Sequence, residues 1–185
     1  MQKSEKKFFD HDDIDGFLHF AVSYANQLGL QITKIIGSGK FGVAFLTNRC
    51  TVLKVTTDDS EVECARSVLG KKVQYLARVY DVVSMGGLSA IHLELVNELT
   101  RSDVTTFDLV VDKLVDSYKS GDAVTAEVIL SFSSSLGQKG GDGMFNDLSN
   151  GIKELSEAGG KPIDIRTRNI GYIRGNYVLF DQKFV

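Results

Sequence analysis

Gly37-Ser38-Gly39-Lys40-Phe41-Gly42 stands between two β-rich runs, Gln31 to Ile36 and Val43 to Thr47, and it limits the folds open to this chain more than any other segment. Spaced glycines let a backbone approach phosphates closely and tolerate positive φ angles that other residues resist. A dinucleotide-binding fold would place a helix directly after such a loop, whereas here a strand follows. Taken alone, the same residues also read as a plain hairpin turn. Asn48-Arg49 makes the next turn, and Thr51 to Thr56 is a third strand.

Around this meander the periodicity is helical. Asp12-Asp13 offers an N-cap, and Ile14, Phe17, Leu18, Ala21, Val22, Ala25 and Leu28 follow at helical spacing, so a helix is predicted over 13–28, closed by Gly29. Asp58-Asp59-Ser60 caps a second helix from Glu61 to about Leu69, ended by Gly70. Strands Ala77 to Met85 and Leu88 to Val96 are joined by Gly86-Gly87 as a hairpin. The second half predicts helices over Thr105 to Lys119, Ala123 to Leu136 and Phe145 to Ala158, with a serine- and glycine-rich loop from Ser131 to Gly143. After a non-helical opening at Lys161-Pro162, Tyr172 to Phe180 reads as a β-hairpin turning at Arg174-Gly175-Asn176. The composition shift near Asn97 divides the chain into 1–96 and 97–185.

Composition narrows the function. The 185 residues are 43% hydrophobic and 24% charged, enough apolar surface for a real core. With 21 basic against 24 acidic residues the formal charge is −3, the wrong sign for a chain that mainly grips nucleic acid. No apolar run approaches the roughly 18 residues of a membrane span, and the N-terminus lacks the apolar core of a signal peptide. Cys50 and Cys64 show no metal spacing and read as small reduced hydrophobes. The expectation is a soluble cytoplasmic protein with no nucleic-acid and no membrane partner.

Three further signals carry chemistry. Lys54 stands in the apolar run Val52-Leu53-Lys54-Val55, where its charge needs water or a partner. Glu61 or Glu63 in the following helix could reach back to it; Glu61 in the first turn leaves Ala65, Val68 and Leu69 free to pack. An edge-strand lysine reaching outward is the simpler alternative. At the far end, Asp164 and Asn169 lie five residues apart in Ile163-Asp164-Ile165-Arg166-Thr167-Arg168-Asn169-Ile170, and Asp181 follows the strand Tyr177 to Phe180. Three oxygen ligands from a loop and a strand end suit Mg²⁺ and a base, although each alone is also a common turn or surface residue.

In this order, the features resemble the protein-kinase fold: glycine-rich hairpin, strand lysine, helix glutamate, a hinge at Glu94-Leu95-Val96-Asn97, Asp-x-x-x-x-Asn, then a strand-end aspartate. The match runs from residue 31 to 183 and looks most like small bacteriophage-encoded serine/threonine protein kinases, also in Arg78-Val79-Tyr80-Asp81-Val82. The resemblance implies an α+β, two-lobe fold: a five-stranded antiparallel N-lobe sheet with one main helix plus the N-terminal helix, and a reduced helical C-lobe. It implies ATP and Mg²⁺ as cofactors and a host protein, or the chain itself, as substrate in the host bacterial cytoplasm. It assigns Gly37, Gly39 and Gly42 to cover the phosphates, Lys54 to hold them, Glu61 to hold Lys54, and Glu94 and Val96 to the nucleotide. Asp164 would be the base, Arg166 would steady the γ-phosphate, and Asn169 and Asp181 would hold the metal.

Departures from the family pattern shape the alternatives. Pro162 and Ile163 stand where the catalytic loop usually has histidine and arginine, and Asp181-Gln182-Lys183 replaces Asp-Phe-Gly. Four residues follow Asp181 in this sequence, so no activation segment or peptide platform is expected. Beside a protein kinase stand two other readings: a kinase-like binding module that inhibits a partner protein, and a small-molecule kinase.

Overall fold

The computed structural model describes residues 11–105, 107–108, 142–159 and 167–180. Five antiparallel strands form its main sheet: β1 (Ile32–Ser38), β2 (Gly42–Thr47), β3 (Thr51–Thr56), β4 (Val79–Met85) and β5 (Leu88–Glu94), in the order β1-β2-β3-β5-β4. The mixed α+β class and the five-stranded antiparallel sheet are as the strand periods imply. The Gly86-Gly87 turn has φ of 63° and 83°, the left-handed pair that matches the twist of a two-residue hairpin.

Alternation along β3 sets the layers. Leu53 and Val55 point to one face, where they pack with Phe45 and Ala90 against Phe17, Ala21, Tyr24 and Ala25 of α1 (His11–Gln27). Helix α1 starts two residues before the predicted boundary and ends in a Schellman cap. Gly29 has φ 66°, and the Leu30 N–H donates to the Ala25 carbonyl at 2.8 Å. The opposite face receives α2 (Asp59–Val68), which begins where Asp58 accepts the Ser60 N–H at 3.0 Å.

The core under α2 continues past residue 97. Val62, Ala65 and Val68 pack with Leu76, Ile91 and Phe107, with Phe145, Leu148, Ile152 and Leu155 of α3 (Asp142–Glu157), and with Ile170 and Leu179. Those last two belong to the hairpin of β6 (Ile170–Ile173) and β7 (Asn176–Leu179). Helix α3 begins at Asp142, so Asp142 and Gly143 are helical rather than loop. The hairpin turns on two residues, Arg174 (φ 55°) and Gly175 (φ 83°), which puts Asn176 in the strand.

Residues 101–105 and 107–108 are helical, so that helix starts before the predicted Thr105. Thr100 and Asp103 cap each other: Asp103 Oδ2 accepts the Thr100 N–H at 3.2 Å, and Thr100 Oγ1 accepts the Asp103 N–H at 3.2 Å. The remainder of that predicted helix, the helix over 123–136, the rest of the serine–glycine loop and the Lys161-Pro162 opening lie outside the described residues. No helix among the described residues is long and apolar enough to cross a membrane.

Candidate functional site

Lys54 is in β3 on the face opposite Leu53 and Val55, the face that α2 covers. Its Nζ lies 2.9 Å from Glu61 Oε2, with side chains 14% and 6% exposed. Glu61 sits in the first turn of α2, where the Asp58 cap fixes the helix phase, and Glu63, two residues on, faces outward. The capped helix therefore selects Glu61. A cavity of about 50 Å³ is lined by this pair together with Cys64, Ala65, Ile91, Leu93, Leu179 and Phe180.

The glycine-rich hairpin joins β1 to β2, the strand that pairs directly with β3. Gly42 pairs with Thr56, and the Gly39 N–H donates to the Gly42 carbonyl at 2.9 Å. The three glycines are not needed for φ: none of Gly37, Gly39 and Gly42 is among the residues with positive φ. Gly42 is instead required by close approach, since a Cβ there would stand 2.2 Å from the Val55 carbonyl oxygen. A Cβ at Gly37 or Gly39 would meet none of the described residues within 4 Å.

The linker after β5 is tied down on the other side. Predicted strand Leu88 to Val96 ends at Glu94, because Asn97 turns to pair with Tyr172: each N–H donates to the other's carbonyl, at 3.2 and 3.0 Å. Val96 lies against β6, where a Cβ on Gly171 would come 2.3 Å from Val96 Cγ1. Glu94 Oε2 accepts the Arg78 N–H at 3.2 Å and pairs with Arg174 Nη2 at 3.0 Å.

Asn169 closes a 3₁₀ turn, Thr167–Asn169, and is 3% exposed. Its carbonyl accepts the Phe180 N–H at 2.9 Å, which places it beside the residue that precedes Asp181. Thr167 Oγ1 reaches Asp108 Oδ1 at 2.5 Å, tying this turn to the helix at 107–108. Asp164, Arg166 and Asp181 lie outside the described residues. The described structure thus brings Lys54 and Glu61 together and sets the 94–97 linker against the hairpin that follows Asn169. No group of three or more His, Cys, Asp or Glu side chains among the described residues could hold a metal.

Several supporting residues carry no motif. The Glu154 carboxylate on α3 accepts the N–H groups of Gln74 and Tyr75, each at 2.9 Å, holding the segment between α2 and β4. Leu179 threads that segment as well, donating to the Tyr75 carbonyl at 3.0 Å and accepting from Ala77 at 2.9 Å. The partners are 79 to 104 residues apart and mostly main chain, so no local pattern announces them.

No protein-family model matches the sequence, and no curated protein proves similar to it. What the chain does must therefore be argued from the site itself.

Two phenols give the fold an alkaline limit. Burial, then the Asp103 carboxylate at 3.1 Å, pushes Tyr177 up to about 12, and burial with Asp81 raises Tyr24 as well. Between about pH 10, where an unfolded tyrosine ionises, and the folded values, the native state holds protons that the unfolded chain has lost. Stability is therefore complete below about pH 10 and falls as pH rises above it. Thermal melts at about pH 8 and pH 11 should show this decline in the wild type and a shallower one in Tyr177→Phe. Equal declines would place the Tyr177 hydroxyl in water.

Proposed function

We propose that the chain is a Mg-ATP-dependent phosphotransferase with a kinase-like two-lobe fold, acting as a minimal serine/threonine protein kinase. The buried Lys54–Glu61 pair carries this reading. Desolvating both charges costs several kcal/mol, and apolar residues of similar volume often serve stability as well or better. A sheet gains little from such a pair, whereas a site for polyanions needs a fixed ammonium with one side left open. Glu61 supplies the fixing, and Lys54 is the more exposed of the two.

The glycines add a second, separate support. Gly37, in β1, weakens that strand by roughly 0.5–1 kcal/mol relative to alanine, and Gly39 sits in the turn after it; neither φ nor packing against the described residues requires either glycine. A ligand lying against this backbone accounts for both, since a glycine in a strand often marks a close approach and the turn glycine continues the same bare backbone. Gly42 answers to Val55 instead, so its place in the motif says nothing about nucleotide. The sheet order and the placement of α2 beside β3 also accord with a kinase N-lobe.

Within this reading each residue has one task. Lys54 holds the α- and β-phosphates, the 37–42 backbone covers them, and the main chain at Glu94 and Val96 receives the nucleobase. Asn169 and Asp181 offer an amide and a carboxylate oxygen, hard donors of the class that Mg²⁺ takes. The metal would supply charge neutralisation at the phosphates. Asp164 orients the acceptor hydroxyl and takes its proton, and the Arg166 guanidinium steadies charge on the γ-phosphate.

Labelled ATP tests the assignment. Wild type should transfer label to protein in the presence of Mg²⁺. Asp164→Ala should bind nucleotide as wild type does while transfer falls roughly 10²-fold or more, the scale of a positioned acid–base group. Asp181→Ala should weaken Mg-dependent nucleotide binding and transfer together. Binding without transfer to any protein, with the biological effect intact in Asp164→Ala, would replace the enzyme by an inhibitory binding module. Transfer confined to a small molecule would make it a small-molecule kinase. A wild type that binds no nucleotide would reduce Gly37 to Gly42 to a hairpin turn.

A further inference from the structure

We infer that Arg174, at the tip of the β6–β7 hairpin, is a positioning residue that sets the 94–97 linker for the nucleobase; the inference rests on the nucleotide reading above. One guanidinium joins the hairpin tip to two segments remote from it in sequence, 73–76 and Glu94. Nη1 donates to the Val73 carbonyl at 3.1 Å, Nη2 donates to the Leu76 carbonyl at 3.0 Å, and Nη2 also lies 3.0 Å from Glu94 Oε2. The planar fork suits this task, because it meets separate acceptors at fixed angles in a way a lysine ammonium cannot.

The linker is held at both ends. Asn97 is bridged to Tyr172 by two main-chain hydrogen bonds, and Glu94 is gripped by Arg174 and by the Arg78 N–H. Leu95 and Val96 span the interval between these anchors, so their peptide groups are presented in one orientation. Arg174 also adopts φ 55°, a left-handed conformation uncommon outside glycine, so the turn aims this side chain back at the linker. Removing the fork leaves Glu94 in β5 but cuts the tie from its side chain to the hairpin tip and the 73–76 segment, so Leu95 and Val96 are set against the hairpin from the Asn97 end alone. The glycine-rich hairpin and Lys54, which belong to β1, β2 and β3, make none of these bonds. The expected defect is therefore selective: recognition of the base weakens, and recognition of the phosphates does not.

The test compares Mg-ATP with Mg-tripolyphosphate, which has the phosphates and no base, using Arg174→Gln and Glu94→Gln. Glu154→Gln serves as a control, since it loosens the neighbouring 74–75 segment from α3 without touching the linker. Arg174→Gln should bind Mg-ATP about tenfold more weakly while its affinity for Mg-tripolyphosphate stays at the wild-type value. Glu94→Gln should move in the same direction and carries the test if Arg174→Gln does not fold. Glu154→Gln should change neither affinity, although it lowers thermal stability. Equal losses for both ligands, unchanged ATP affinity, or the same selective loss in Glu154→Gln would overturn the inference and leave the nucleotide reading standing. A wild type that holds tripolyphosphate as tightly as ATP would overturn the linker's role. A wild type that binds neither would overturn the nucleotide reading itself.

Discussion

Glu61→Ala should cost about 3 kcal/mol of folding stability and abolish Mg-ATP binding, whereas a Lys54→Met, Glu61→Leu double variant should keep most of its stability and still bind nothing. The asymmetry follows from what each change leaves behind. Truncating Glu61 removes the carboxylate 2.9 Å from an ammonium that is 14% exposed, and breaking a buried pair in this way typically costs 3–5 kcal/mol. Removing both charges removes the desolvation penalty with them. The adjoining cavity of about 50 Å³ is lined by Ala65, Ile91 and Leu179, so the methionine and leucine find apolar neighbours to pack against. Urea unfolding of the two variants against wild type, with nucleotide titration of each, separates the structural term from the functional one. A loss below about 1 kcal/mol in Glu61→Ala would mean that water reaches the Lys54 ammonium and that the pair is a surface contact.

This pair was also the most legible part of the site. A lysine inside Val52-Leu53-Lys54-Val55 is anomalous by composition alone, and the Asp58-Asp59-Ser60 cap fixes where the next helix begins. Cap and strand register together decide between Glu61 and Glu63, because a one-residue change of helix phase turns a side chain by about 100°. The sheet was legible for a similar reason: period-2 alternation and paired glycines are local signals, and local signals survive in one sequence.

Elsewhere the deciding forces are not local. The glycines of the 37–42 hairpin look alike in sequence, but Gly42 is fixed by the Val55 carbonyl across the sheet while no contact among the described residues fixes Gly37 or Gly39. The predicted strand to Val96 stops at Glu94 because Asn97 finds Tyr172, 75 positions away in sequence. A helix start at Thr100 was within reach, since Thr100-Arg101-Ser102-Asp103 is a capping pattern that the stronger apolar stripe from Phe107 overshadows. Glu154 and Arg174 had no such signal, because they bond mostly to carbonyls and N–H groups whose identity is independent of residue type, and the one side-chain partner, Glu94, lies 80 positions from Arg174.

Gly171→Ala should destabilise the fold by about 3 kcal/mol, the upper end of what overpacking a rigid interior costs. Gly171 is buried in β6 opposite Val178, and its missing side chain is the space in which the linker lies. A Cβ there would meet Val96 Cγ1 at 2.3 Å and the Asn97 carbonyl oxygen at 2.6 Å. The first clash can be relieved by trimming Val96, and the second cannot, because the Asn97 carbonyl accepts the Tyr172 N–H at 3.0 Å. A Gly171→Ala, Val96→Ala double variant should therefore recover only part of the loss. Nucleotide affinity should fall in Gly171→Ala even at temperatures where the protein remains folded, since the displaced segment is the one assigned to the base. Thermal melts paired with ATP titration check both statements. Full recovery in the double variant would show that the main chain moves aside without cost, and that the linker is not held against β6.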